Sequence, residues 1–231
     1  MVESVVSRTD YSEAEKAAVY RVIRERRDVR SGYLSTPVDD ATLRRLLSAA
    51  HQAPSVGLMQ PWRFIVVRDS ALRVAVHDNF LRANEEAGQS YSGDRRALYA
   101  QLKLEGLLAA PQHLCVVCES DSERGHGLGR QSMPETSTYS VACAIQNLWL
   151  AARAEGIGVG WVSILDPAAL RKLLHLPACV DLIAYLCLGY VERFAEIPDL
   201  ERAGWERRAD VASLVKADFY EQPYPFAESG E

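Results

Sequence analysis

The chain predicts an α+β fold, because short apolar strand-like runs and helical patterns are mixed along it without a regular βαβ repeat. Three observations carry the prediction. A capping-box helix opens the chain, four short strand-like apolar runs are scattered through it, and one long segment near the middle is apolar nearly all round. A hydrophobic content of 48% over 231 residues is enough to bury a proper core.

Ser12 to Glu15 has the S-x-x-E form that satisfies free amides at a helix start, and Ala17, Val19, Tyr20 and Ile23 follow at roughly helical spacing. This first helix should end near Arg26. Asp39 or Asp40 can cap a second helix through Leu43, Leu46, Leu47 and Ala50, which leads into the turn Pro54-Ser55-Val56-Gly57. Arg63 to Val67 reads as a strand. Residues 70–88 and 93–109 read as two helices with charged faces, parted by Gly88, Ser90, Ser92 and Gly93, and such a pair can form a movable cover.

His113 to Glu119 should be the next strand, followed by a polar loop from Asp121 to Thr136. Within that strand Cys115-Val116-Val117-Cys118 has the C-x-x-C spacing of redox and zinc sites. Its apolar setting and the lack of a second ligand pair favour a buried strand. The five histidines are scattered, and no metal site is predicted. Thr138 to Ala154 lacks a clear polar face, so it should be buried in the core or against another subunit. Gly158–Ile164 and Leu182–Val191 complete the strands, with a short helix from about Pro167 between them. From about 192 the chain, with Pro198, Pro223 and Pro225, reads as an irregular tail able to wrap a partner. Cys143, Cys179 and Cys187 read as small core residues, and Trp62, Trp149 and Trp161 as core or interface anchors.

A net charge of −5 argues against a general nucleic-acid or membrane-surface role, which requires a basic face. No N-terminal segment joins basic residues to an apolar run, and no apolar run is as long as a membrane span, so the expectation is a cytoplasmic protein. Five cysteines, an odd number, fit reduced thiols.

Against that acidic balance, Arg26-Arg27-Asp28-Val29-Arg30 is a local cluster. Three guanidiniums within five residues can neutralise a doubly charged phosphate through paired donors. The later loop Ala53-Pro54-Ser55-Val56-Gly57-Leu58-Met59-Gln60-Pro61-Trp62 offers a small hydroxyl and a glycine that allows close backbone approach to a flat ring. Phosphate at one end and ring at the other is the shape of FMN. Taken alone, the arginines would more simply complement a helix dipole, with Asp28 pairing one of them.

These pieces in this order resemble the nitroreductase-like flavoprotein superfamily, and more narrowly its 5,6-dimethylbenzimidazole synthase branch, whose members make the lower base of vitamin B12. Nitroreductases usually carry serine where this chain has Asp28, and a Pro-Ser-Ser-x-Asn loop where it has Pro54-Ser55-Val56-Gly57-Leu58. Both departures resemble the branch. Lys103-Leu104-Glu105-Gly106, the run from Ala144 to Gly156, and Gly158-Val159-Gly160-Trp161-Val162-Ser163-Ile164 match as well.

The resemblance implies a nitroreductase-like fold over 1–231, with a central mixed sheet surrounded by helices and a helical lid around 81–106. It also implies an intertwined homodimer with two FMN sites at the subunit interface. Arg26, Arg27 and Arg30 would hold the phosphate and ribityl chain, with Arg208 as a possible addition from the tail, and Asp28 and Val29 between them would also contact the cofactor. Ser55 and Gln60 would meet the ring, Gly160 and Ser163 would line its other side, and Lys103 and Leu104 would approach from the cover. The implied reaction consumes reduced FMN with O2, yielding 5,6-dimethylbenzimidazole and erythrose 4-phosphate, with no metal. Asp28 would act as base, or hold the groups that relay the proton, at the ribityl carbon next to the ring. Ser163 would stabilise charge at the flavin edge. A tight cover would exclude water and leave little room for a nicotinamide, so a separate flavin reductase would supply the reduced flavin. The alternative is an FMN-dependent NAD(P)H nitroreductase or quinone reductase that keeps its flavin, and a flavin-storage protein is a third reading.

Overall fold

The computed structural model describes residues 10–226. Helix α1 (Glu13–Glu25) begins at the expected capping box, with the Ser12 hydroxyl and the Glu15 carboxylate each meeting the other's backbone amide. Asp39, rather than Asp40, caps α2 (Asp40–His51) by accepting from Thr42 N at 2.7 Å. Then follow β1 (Trp62–Val67), α3 (Ser70–Gln89), α4 (Gly93–Gln101), β2 (Gln112–Cys118), α5 (Thr136–Ala154), β3 (Ile157–Val162), α6 (Pro167–Leu173) and β4 (Asp181–Tyr190). Contacts divide the chain into two units, Met1–Glu196 and Ile197–Glu231. The second holds two short helices, α7 (Asp199–Arg202) and α8 (Val211–Leu214), and a bridge between Lys216 and Pro223.

The sheet runs β1-β2-β4-β3 with every named pair antiparallel. Its expected mixed character is confined to one isolated parallel bridge, Asp28 to Val159, at the outer edge of β3. Every residue of β2 is buried, as a central strand covered on both faces must be. Alternation sends Leu114, Val116 and Cys118 toward α2 and α5, while Cys115 and Val117 face a second apolar cluster with Val76 and Phe80 of α3. The C-x-x-C pair is therefore split between the two faces of the sheet. Burial pushes the Cys115 thiol up to about 12 and the Cys118 thiol up to about 11.

Two expectations need correction. Helix α4 stops at Gln101 instead of running to 109, and Leu102 is already extended with ψ 131°. The next residues leave the helix because buried Glu105 binds Lys103 Nζ at 2.8 Å and also accepts from Leu107 N, which turns the chain inward. Cys143 and Cys179 are exposed, whereas only Cys187 of that trio is in the core. Cys143 lies on the face of α5 turned away from the sheet. Helix α5 is thus one-sided in the single chain. Val141, Ala144, Ile145, Leu148 and Trp149 are buried, while Tyr139 is 56% exposed. Among the described residues no helix is long and apolar enough to cross a membrane.

Candidate functional site

The arginine cluster follows directly on α1 and is laid along the open edge of β3. Val29 N donates to Val159 O at 3.0 Å, and Trp161 N donates to Asp28 Oδ1 at 3.0 Å, so an aspartate side chain continues the ladder that the backbone begins. Arg30 holds the other oxygen, Oδ2, at 2.6 Å, with both side chains largely covered. Asp28 is thereby fixed at both oxygens between a main-chain donor and a guanidinium, in the geometry of a charge-assisted pair.

The other arginines do different work. Arg26 lies with its guanidinium 4.8 Å from the Trp149 ring centroid. Arg27 turns inward and donates to the carbonyls of Arg24 at 2.8 Å, Arg26 at 2.7 Å and Glu196, while Trp149 Nε1 donates to Arg27 O at 3.1 Å. The three guanidiniums therefore differ in setting, Arg26 over the Trp149 ring, Arg27 on backbone carbonyls and Arg30 on Asp28. Arg27 Nε remains buried without a hydrogen-bond partner among the described residues. An anionic oxygen there would satisfy it, so the donor set fits a phosphate-bearing ligand.

Glycines let this turn lie flat on the sheet. A Cβ on Gly160 would come 2.2 Å from Val29 O, and one on Gly158 would meet the Val29 side chain at 2.9 Å. Val29 is buried, and its carbonyl accepts from Tyr33 Oη at 2.8 Å. Ser163 is exposed just past the end of β3, two residues or about 7 Å along the strand from the Trp161 amide that holds Asp28. Lys103 is exposed, and Leu104 packs at the rim of the second apolar cluster. Sequence reasoning missed Tyr33. Its clue was an aromatic residue close after the arginines with glycines at 106, 160 and 189 to receive it, a pattern visible only once those segments meet.

Ser55 and Gln60 lie elsewhere. Their loop leads into β1, the opposite edge of the sheet, and three strand spacings, roughly 14 Å, separate the two edges. Ser55 Oγ accepts from Gln60 N at 3.1 Å, Gln60 Oε1 accepts from Arg124 at 2.9 Å, and Val56 N donates to Ser140 Oγ at 3.0 Å. Gly57, at φ 54°, faces the carbonyls of Gly125 and Leu128, each 3.0 Å from where its Cβ would be. In this chain that glycine serves loop packing. Gln60 also lines a groove of about 790 Å³ with Arg44, His51, Trp62, Arg63 and Arg124. Arg208 belongs to the second unit, exposed between α7 and α8. One copy thus brings together Arg26, Arg27, Asp28, Val29, Arg30, Gly160 and Ser163, and leaves Ser55 and Gln60 across the sheet. Among the described residues no group of three or more His, Cys, Asp or Glu could hold a metal ion.

The model of the nitroreductase family matches residues 23–190. The chain is 50% identical over 183 residues to a 5,6-dimethylbenzimidazole synthase of Rhodospirillum rubrum, covering 79% of this chain and 86% of that protein. It is 46% identical over 197 residues to a 5,6-dimethylbenzimidazole synthase of Rhodobacter capsulatus, covering 85% and 95%. Among solved structures it is similar to an iodotyrosine deiodinase bound to FMN and 3-iodo-L-tyrosine. That match has a TM-score of 0.65 at 24% identity, over 77% of this chain and 91% of that one.

Proposed function

This chain belongs to the nitroreductase family, and we propose that within it the protein is a 5,6-dimethylbenzimidazole synthase that consumes reduced FMN with dioxygen. The observation that carries the reading is Asp28, where nitroreductases resemble one another in having serine. Its carboxylate is held at both oxygens beside the strand that leads into Ser163. Reduced FMN, the substrate, supplies the ring that is contracted and the electrons that activate dioxygen, with erythrose 4-phosphate and the pyrimidine portion of the ring leaving as the other products.

The chain's own residues divide the work. Arg26 and Arg30, with the unsatisfied Arg27 Nε, bind the phosphate end. Asp28 takes or relays the proton at the ribityl carbon next to the ring, with Trp161 N and Arg30 orienting it. Ser163 Oγ donates to the ring edge, where negative charge develops. Gly160 lets the Val29 turn lie directly on the strand beside the ring, while Lys103 and Leu104 close over the site from the cover, residues 81–106, which excludes water. The covered site favours delivery of reduced FMN by a separate flavin reductase. No metal is required for these roles.

The placement of Ser55 and Gln60 on the far edge supports a homodimer in which a second copy brings that loop to the ring. Exposed apolar side chains on α1, Val19, Tyr20 and Ile23, and Tyr139 on α5, offer it a surface. Arg208 from the tail is a further candidate for the phosphate.

The test is to mix the protein with chemically reduced FMN in air and assay 5,6-dimethylbenzimidazole by mass spectrometry. Its appearance with loss of flavin, absent from a protein-free control, supports the synthase. Intact reoxidised FMN would turn the reading to an NAD(P)H-dependent reductase.

A further inference from the structure

Asn79, on α3, is only 1% exposed, yet no step above uses it. Its amide pairs in both directions with one residue's backbone. Asn79 Nδ2 donates to Asp166 O at 3.0 Å, and Asp166 N donates to Asn79 Oδ1 at 2.8 Å. The backbone amide can only donate, so the orientation of the side-chain amide follows. A primary amide paired in both directions mimics a neighbouring strand, and gives Asp166 a ladder partner where β3 has already ended.

Asp166 is the hinge of the Ser163 turn. Ser163, Ile164 and Leu165 are the only residues between the end of β3 and Asp166, which in turn caps α6 by accepting from Ala168 N at 2.9 Å and Ala169 N at 3.2 Å. Ile164 and Leu165 lie against the same apolar cluster that buries Val76 and Phe80 of α3. The turn is therefore fixed at one end by the sheet and at the other by Asn79. Helix α3 continues beyond Asn79 into the segment proposed as the cover.

We infer that Asn79 is a positioning residue for Ser163, holding the serine turn from α3 by its two-way pairing with Asp166. The inference rests on the synthase reading for its consequence in catalysis. Its geometry can be tested independently. A buried, two-way hydrogen-bonded amide is costly to remove, because both backbone groups of Asp166 lose their partner. Catalytic groups tolerate little displacement, and a shift of about 1 Å can cost on the order of a hundredfold.

The experiment compares the full chain with Asn79→Asp, which keeps the shape but turns the donor into an acceptor facing Asp166 O, and Asn79→Ser, which is smaller and remains available if the first does not fold. Val76→Ala, a cavity in the same helix, controls for general destabilisation. Two readouts are taken: hydrogen–deuterium exchange at 163–166, and the benzimidazole formed per reduced FMN consumed, with hydrogen peroxide measured alongside. The second is taken with folded protein in excess over flavin and with a protein-free control subtracted, because free reduced FMN is oxidised by dioxygen to FMN and hydrogen peroxide unaided.

Expected in an Asn79 variant are exchange at 163–166 faster by about tenfold and a product ratio lower by about tenfold, with hydrogen peroxide appearing in its place. Val76→Ala should leave the ratio at the wild-type value. Unchanged exchange at 163–166, an unchanged ratio, or an equal shift in Val76→Ala would overturn the inference. If the unaltered chain makes no benzimidazole, the synthase reading fails, and exchange alone decides whether Asn79 holds the turn.

Discussion

Gly106 and the ring of Tyr33 occupy one space: a Cβ on Gly106 would lie 2.6 Å from Tyr33 Cε2. The ring cannot retreat easily. Its hydroxyl is held on Val29 O, and Gly189 would meet Tyr33 Cδ1 at 3.0 Å if it carried a Cβ. The segment entering from the cover thus rests on the same aromatic ring that supports the peptide between Asp28 and Arg30. Burial holds the Tyr33 phenol well above its ordinary range, so it remains a neutral donor.

Gly106→Ala should therefore disturb both segments. Overpacking of this kind costs about 1–3 kcal/mol, and urea unfolding should show it. Tyr33→Phe removes only the hydroxyl and should cost about 1 kcal/mol. A smaller loss in Gly106→Ala than in Tyr33→Phe would mean that the ring has room to move.

Gly160→Ala is the sharper version, because its Cβ would meet backbone, Val29 O, at 2.2 Å. The Asp28 turn must leave the β3 edge to admit it. A loss of at least about 2 kcal/mol in stability is expected, together with loss of benzimidazole formation. A variant with wild-type stability would show that the turn is not pinned by this contact.

Asp28→Asn keeps an acceptor for Trp161 N but loses the charge that Arg30 pairs. Benzimidazole formation should fall by at least about a hundredfold, the span of general acid–base contributions, while FMN remains bound when followed by fluorescence quenching. Full activity in Asp28→Asn would remove this carboxylate from the chemistry.

His113 sets an acid limit on stability. It is fully buried, with Nδ1 3.0 Å from Tyr185 Oη, and burial, followed by the nearby Arg73 charge, lowers its pKa from 6.5 to about 4. The unfolded chain thus takes up the proton at a higher pH than the folded chain. The contribution is full above pH 6.5 and is lost as pH falls toward 4, in total about 3 kcal/mol. Urea unfolding between pH 7 and 4 should show that slope, and His113→Phe should flatten it.

Thiol labelling tests the second copy. Cys115, Cys118 and Cys187 are buried with raised pKa values and should resist iodoacetamide in the native state. Cys179 should react. If α5 packs on a second chain, Cys143 should react much more slowly than its exposure in one chain allows. Equal rates at Cys143 and Cys179 would count against that interface.

Local rules made much of this fold legible. The capping box at Ser12, a cap at Asp39 or Asp40 and the four strand-like runs were readable because each depends on residues within a few positions of one another. The arginine cluster with Asp28 was legible as a candidate site for the same reason. The helix at 93–109 was misread beyond Gln101, because Glu105 and Gly106 take their conformation from buried partners rather than from helical propensity. Tyr33 and Asn79 were missed because their partners, Val29, Gly106 and Asp166, acquire meaning only when the segments pack.

By itself the sequence determined most of the elements, the class of fold and the residue types able to meet a phosphate and a ring, since these follow from short-range periodicity, capping and charge. Only the tertiary structure decided which of them meet. The order β1-β2-β4-β3 places Asp28 and Ser163 along one edge and Ser55 and Gln60 along the other. It also ties the terminal nitrogens of Arg27 to three carbonyls and leaves its buried Nε without a partner among the described residues. The physical reason is that strand order and side-chain direction come from burying both faces of one sheet, a condition on the whole chain that no short stretch of it carries.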